Sequence, residues 1–416
     1  MNILQITVFT GIGVTIESYD IMVCSLLAKQ LGANFFSAVS PSMQVMLVYA
    51  ILTVAYLVSP VSSLIVGFLG DLKGRKTVIV NAQVWMTACT FLMGVLPTYQ
   101  QIGWLAGALL AVLRITQNLV VGGDFPGAVT YLLEHASEKR GLYFGVMMGI
   151  LGFGSAMASG VVYLLMDWIP THEFNAWGFR LPFLFGGVLG IVGIMLRRMM
   201  PESPEFLRYI AETPPDEPPA NLRHVFKKIW RPALLVIGTT LAPLSVSTFK
   251  STMPVMLDSF YHFNAADIYL ALSVVYFSSG FLKMFFGWLT DFVGCYKIAL
   301  ASSLLLLLGA IPLFGILRSG LSIAPFVFIL YLQAVTALSS SSMSILIAAT
   351  FPAKIRYAGA GLSNSVGNMF AACILPFAQL NYGFWHTDIG MMGLFIALAV
   401  LSIYSLKLLV TRYDLV

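Results

Sequence analysis

GDLKGRKTV, residues 70–78, crowds Asp71, Lys73, Arg75 and Lys76 into one short segment between two long apolar runs. On either side the chain is almost without charge. Charge gathered at the ends of apolar runs, rather than spread over a surface, is the pattern of a chain whose solvent is lipid. The composition agrees. Of 416 residues, 58% are hydrophobic and 10% charged, against roughly 25% charged in a soluble domain. Such a chain cannot cover its apolar surface with polar side chains, so the lipid bilayer is its first partner.

A helix that crosses the hydrocarbon needs about 20 apolar residues. Twelve such runs can be read, at roughly 5–28, 44–69, 78–97, 103–133, 141–167, 181–197, 231–258, 266–289, 297–316, 322–348, 356–380 and 389–409. An even number puts both termini on one side. That side holds 17 of the 23 Lys and Arg residues, including Arg197 and Arg198, while Lys29, Arg180 and Arg318 lie opposite and Arg114, Lys250 and Lys283 fall within spans. Basic loops stay in the cytoplasm. The expectation is therefore an integral protein of the cytoplasmic (inner) membrane with both termini inside. The first run lacks the short apolar region and small-residue cleavage site of a signal peptide, so it reads as a span. Cys24, Cys89, Cys295 and Cys373 are scattered through apolar stretches and read as small buried hydrophobes.

Residues 198–230 carry six prolines and mixed charge, and read as a solvated linker. The chain thus divides into a six-helix half over 1–197, a cytoplasmic linker over 198–230 and a second six-helix half over 231–416. A weak repeat supports this division: GFLGDLKGRK (67–76) is echoed by GWLTDFVGCYK (287–297), each with Gly, three residues, Asp, two residues, Gly. Two parallel six-helix halves with a site between them is a transporter layout.

The motif G-x-x-x-D-x-x-G-R-K between the second and third spans resembles the signature loop of the major facilitator superfamily. GVTIESYD (13–20), RITQNLVVGGDFPGAVTYLLEHASEKRG (114–141), WGFRLPFL (177–184), PESPEF (201–206) and FPAKIRYAGAG (351–361) are similar to elements of its metabolite:proton symporters, the organic acid and proline-betaine type carriers. The chain departs from that pattern at Asp124, where Glu is usual, at Asn118, where Gly is usual, and at Ser18, where an aromatic is usual. The second-half loop has Cys295 and Tyr296 in place of its arginine, and the coiled-coil extension of the osmosensing carriers is not expected. The resemblance implies an all-α membrane protein of the major facilitator fold, with twelve transmembrane helices in two pseudo-symmetric halves. It also implies that the loop Asp sits against a helix N-terminus of the other half, where the helix dipole favours an anion. Gly70, Asp71, Gly74, Arg75 and the second-half Asp291 are accordingly expected to form a conformational latch. Gly70 and Gly74 would provide the tight turn, and Asp71 and Arg75, four apart, can pair locally. Lys73 and Lys76 are explained by topology alone.

Ionisable groups inside a span cost several kcal/mol on some scales and need a reason to be there. Glu17, Asp20, Arg114, Asp124, Lys250 and Lys283 qualify. Glu17 and Asp20 are three apart and share a face of the first helix. Two close carboxyls in low dielectric do not both ionise easily, which suits a proton carrier. Glu17, Asp20 and Asp124 are the proton-coupling candidates. Arg114, Gln117, Val121 and Asp124 follow a 3-4-3 spacing and form one stripe. Arg114 offers a permanent fork for a carboxylate, either of the substrate or of the first helix. About 15 Å of helix separates it from Asp124, which is expected to pair elsewhere. Gly122, Gly123 and Gly127 read as close helix packing. Lys250 sits among hydroxyl residues in SVSTFKSTMP (245–254) and is weighed as a substrate contact, whereas Lys283 reads as snorkelling to the nearer interface. Gln333, in a polar stretch of the tenth span, and Asn364 and Asn368, four apart in the eleventh, complete the substrate-binding candidates with Arg114, Gln117 and Lys250.

The reading is a secondary active transporter, a proton-coupled symporter of a small organic acid or a zwitterion such as an amino acid or betaine, working by alternating access. The alternative is an exporter or proton-independent facilitator of the same fold. A non-transporting membrane sensor fits less well, because the longest loop is about as long as the linker above. The sequence has no phosphate loop, metal cluster or nucleophile motif. No enzyme activity, cofactor or metal is therefore expected, and the proton gradient supplies the energy. Nucleic acid is not an expected partner, since the basic residues track topology. A monomer is expected.

Overall fold

The computed structural model describes residues 2–136, 138–204, 207–208, 222–259, 261, 263, 265–319, 321, 323–352, 355–374, 377 and 388–413. Among them every regular element is helical. The spans are α1 (Ile3–Leu26), α2 (Pro41–Lys73), α3 (Arg75–Val95), α4 (Trp104–His135), α5 (Arg140–Trp168), α6 (Leu181–Arg198), α7 (Leu222–Ser251), α8 (Ala265–Val293), α9 (Cys295–Arg318), α10 (Ala324–Ala349), α11 (Arg356–Ala372) and α12 (Ile389–Tyr413). Eleven of them are long and apolar enough to cross a bilayer. The exception, α11, has 17 described helical residues, and most of the rest of that predicted span, to 380, lies outside the described residues. Leu308, Ile311, Val188 and Met195 hold large apolar side chains outward, which a bilayer tolerates and water does not.

The two halves meet chiefly where α5 lies along α8 and where α2 lies along α11. Glycine makes the first contact possible. A Cβ on Gly145 would collide with the Gly287 Cα at 2.8 Å, and one on Gly149 with the Gly280 carbonyl at 2.6 Å. With only hydrogen at these positions the backbones come close enough for dispersion contacts along the seam. Ser18 Oγ meets Ser155 Oγ at 2.8 Å, and Thr15 Oγ1 donates to the Ile150 carbonyl at 2.7 Å, tying α1 to α5.

Several expectations change. The turn between α2 and α3 is made by Gly74 alone, at φ 98°, and its repeat counterpart Gly294 has φ 94°. Only glycine adopts that conformation without strain. Gly70 is inside α2 instead; a Cβ there would strike the Tyr357 ring at 2.6 Å, so it serves the α2–α11 contact. Helix α7 begins at Leu222, so the last part of the predicted linker, 222–230, is helical. Residues 209–221 of that linker lie outside the described residues. Cys24 and Cys89 are buried as expected, but Cys295 is half-buried and Cys373 is exposed.

Candidate functional site

Helix α4 is not continuous. Its segments Trp104–Val121 and Asp124–His135 join at Gly122 and Gly123, whose ψ values of −17° and −7° depart from helical geometry. The predicted stripe is cut at this joint. Arg114 and Gln117 face a cavity between the halves, while Asp124 turns to α6 and is held by Arg197 through two bonds of 2.7 and 2.8 Å. The Val121 side chain lies outside the described residues. Arg197 is 1% exposed. It is not the loop charge that topology assigned to it, but the buried partner of Asp124. Gly13 on α1 leaves the room, because a Cβ there would overlap the Arg197 guanidinium.

The cavity has a volume of about 320 Å³ and is lined from both halves. On the first-half side, Arg114 Nη1 bonds Asp20 Oδ2. Gln117 Nε2 donates to the same oxygen at 3.1 Å, and the Thr90 hydroxyl donates to Asp20 Oδ1 at 2.6 Å. Gln117 Oε1 in turn accepts from Arg114 at 2.6 Å. Asp20 is thus clamped by donors from α3 and α4, a fully connected buried network. Glu17 lies one turn earlier on α1 and also lines the cavity, yet its Oε2 is buried with no hydrogen-bond partner. The sequence left the partner of Arg114 open between the substrate and the acids of the first helix; the structure gives that place to Asp20.

On the second-half side, Lys250 Nζ donates to Gln333 Oε1 at 2.5 Å and to Thr336 Oγ1 at 2.8 Å, and lies 5.7 Å from the centre of the Tyr276 ring. Gln333 acts behind Lys250 and does not itself line the cavity, whereas Asn364 and Asn368 do. Lys283 was expected to snorkel. Instead it is 9% exposed and lines the cavity beside Gly152, where a Cβ would come within 3.4 Å of Nζ. Asn118, a departure from the family pattern, also faces the cavity.

Contacts between the halves lie on both sides of this cavity. On the side away from the termini, Lys29 pairs with Asp258 at 3.0 Å and Tyr269 donates to the Leu26 carbonyl at 3.1 Å. On the side of the termini, Tyr357 donates to the Gly123 carbonyl at 3.0 Å, and Ser365 to that of Gly122 at 3.2 Å. There the Asp291 carboxylate accepts from the backbone N–H groups of Gly141 and Leu142, at 2.6 and 2.9 Å, at the start of α5. This is a carboxylate on the positive end of a helix in the other half. The side chain of Asp71, its first-half counterpart, lies outside the described residues. Arg75 is buried, with Nε 3.7 Å from Glu134 Oε2; its expected pairing with Asp71 involves a side chain outside the described residues. Glu134 also accepts from Ser203 Oγ at 2.5 Å and lies 4.0 Å from Arg356. Glu134, Arg197 and Tyr357 were not singled out from sequence, although Glu134 and Tyr357 stand inside stretches that carried the family resemblance.

The family profile described as Major Facilitator Superfamily matches residues 4–260. The proline/betaine transporter of Escherichia coli strain K12 is 28% identical over 373 residues, covering 87% of this chain and 74% of the relative. A putative proline/betaine transporter of Staphylococcus haemolyticus is 33% identical over 320 residues, covering 75% of this chain and 67% of the relative. The solved structure of the proton:xylose symporter XylE bound to 6-bromo-6-deoxy-D-glucose matches with a TM-score of 0.76 at 18% identity, over 99% of this chain and 96% of that one. At that identity the match speaks for the fold alone.

Proposed function

Because the chain belongs to the Major Facilitator Superfamily, a membrane transporter and not an enzyme, we propose that it is a proton-coupled symporter of a small organic acid or zwitterion. One observation carries this reading. A single cavity between the halves holds two carboxyls of α1 on one wall and basic groups on both. The relatives named as proline/betaine transporters support a small organic solute as cargo. No cofactor is required, since the proton gradient can drive the cycle.

The two carboxyls suit different tasks. A group that takes up and releases a proton in each cycle cannot be tied to several donors throughout. Asp20 has three donors; Glu17 Oε2 has none. Glu17 is accordingly the proposed proton carrier, and the Asp20–Arg114 pair fixes the electrostatic surroundings in which it works. Asp124, bound to Arg197 away from the cavity lining, is a positioning residue in this scheme. Lys250, Asn364, Asn368 and Gln117 are proposed to meet the substrate, with Gln333 orienting Lys250. Gly70, Gly74, Arg75, Asp71 and Asp291 hold the terminal side shut and release it in the other state. The halves are taken as 1–197 and 231–416 about the 198–230 segment. The protein is placed as a monomer in the cytoplasmic membrane with both termini inside.

The test is transport by purified protein in proteoliposomes. An inward proton gradient should drive accumulation, and substrate addition without a gradient should alkalinise the outer medium. Substrate exchange with neither response would favour the facilitator reading and remove the proton from the scheme.

A further inference from the structure

Five acidic or basic side chains line the cavity among the described residues: Glu17, Asp20, Arg114, Lys250 and Lys283. Asp20 and Arg114 neutralise each other. The two lysines have no such partner. The acceptors of Lys250 are the neutral Gln333 and Thr336. Among the described residues Lys283 makes no hydrogen bond or ion pair. Both lysines are more than nine-tenths buried. Both line the same cavity, Lys250 from α7 and Lys283 from α8.

Buried charges in proteins are paired. Two buried lysines that line one cavity without an anion describe a site whose counter-charge arrives with the ligand, which would hold both as ammonium ions. We propose that Lys250 and Lys283 form a paired-cation subsite for a small dianion, a short dicarboxylate, and that Lys283 is a direct substrate contact. The proposal rests on the proton-symport reading. With Glu17 protonated and both lysines charged, a substrate of charge −2 makes the loaded carrier neutral. A neutral loaded cavity avoids the cost of moving net charge through low dielectric. A quaternary ammonium ligand prefers aromatic faces. Among the described residues, the only aromatic side chains lining this cavity are Tyr56 and Phe125, while Tyr276 lies against Lys250. The subsite therefore favours a dianion over the zwitterions after which the relatives are named.

The probes are succinate, monomethyl succinate and glycine betaine, at matched ionic strength in sodium chloride. Thermal unfolding of the purified protein reads binding, and proton-driven uptake in proteoliposomes reads transport. Succinate should raise the unfolding temperature most, with the monoester well behind. Lys283→Met should weaken succinate binding about thirtyfold or more, the order expected when one member of a buried charge pair is removed. The same change should raise the unfolding temperature of the ligand-free protein, because it removes a buried amine that has no partner there. Lys283→Arg, which keeps the charge, should retain most of the binding and guards against misfolding of the first variant. Stabilisation by betaine equal to or above that by succinate overturns the proposal, as does a response to none of the three. Unchanged succinate binding in Lys283→Met also overturns it. Proton-driven uptake of betaine without any succinate response would sink the dianion subsite and leave the symport reading standing. Succinate binding without proton coupling would sink the symport reading instead.

Discussion

Asp291→Asn tests whether the carboxylate on the start of α5 holds the terminal side closed. The wild-type group accepts two backbone N–H bonds, at 2.6 and 2.9 Å. A bond to a charged acceptor contributes about 1.5–3 kcal/mol when buried. Asp291 is exposed at the surface, so water competes and roughly half of that is the sensible figure. Asparagine keeps one acceptor oxygen, hence one bond, and loses the charge that the helix dipole favours, about 0.3–1 kcal/mol. The expected loss is about 1.5 kcal/mol, or roughly tenfold in the ratio of closed to open molecules. Spin labels at Glu138 and Lys297, both exposed on that side, report the separation by pulsed dipolar spectroscopy. The variant should move population from the short to the long distance. Asp291→Glu should lie between the two. A distance distribution unchanged from wild type in Asp291→Asn, with the protein folded, refutes the latch.

Further outcomes follow from other contacts. Glu17→Gln should abolish accumulation under a proton gradient yet retain counterflow exchange in the same vesicles; full accumulation would move the proton to Asp20. Asp124→Ala should destabilise by about 3–5 kcal/mol, because Arg197 is left as an unpaired buried charge. The Asp124→Leu/Arg197→Leu double variant should recover most of the thermal stability and keep proton-driven uptake, and loss of coupling in a stable double variant would show Asp124 to be a carrier. Gly145→Val should insert and express but lose transport, since its side chain has nowhere to go against Gly287. Transport at the wild-type rate would show that the seam opens more widely than its geometry implies.

What could be read from the sequence follows from how each force is written in it. The spans were legible because a run of about 20 apolar residues matches the thickness of the hydrocarbon, and a soluble core rarely calls for one that long. The pairing of Arg114 was not, because Glu17 and Asp20 lie one turn apart on the same face and only the rotation of α1 decides which acid meets the guanidinium. That Asp124 pairs away from Arg114 was expected, but its turn toward α6 was not legible: a 3-4-3 stripe assumes an unbroken helix, and the Gly122–Gly123 joint breaks the register. Arg197 and Lys283 illustrate a second limit. A basic residue near a helix end usually reaches for the interface, and only the neighbouring helix shows that these two turn inward. The short side chain at Gly13 was the available sign for Arg197, but a glycine cannot say which neighbour needs its space. The family resemblance implied a loop carboxylate on a helix N-terminus for Asp71 and placed Asp291 in the latch; no local pattern in GWLTDFVGCYK shows the contact that Asp291 makes.

The bare α5–α8 seam has a mechanical consequence. Where side chains interlock, one helix can turn against another only by first withdrawing its knobs, and that unpacking sets the barrier. At Gly141, Gly145 and Gly287 there are no knobs to withdraw, while Met284 and Phe153 fill the space beside Gly149 and Gly280. Around Gly145 and Gly287 backbone faces backbone, much as two smooth bearing surfaces do, so a small rolling motion exchanges similar contacts there. Resistance to motion is then concentrated at the rims, in the few polar contacts around Asp291, Tyr357 and the Lys29–Asp258 pair. A carrier built in this way sets its turnover through a handful of rim residues, and its pivot can stay unchanged while the cargo pocket diverges.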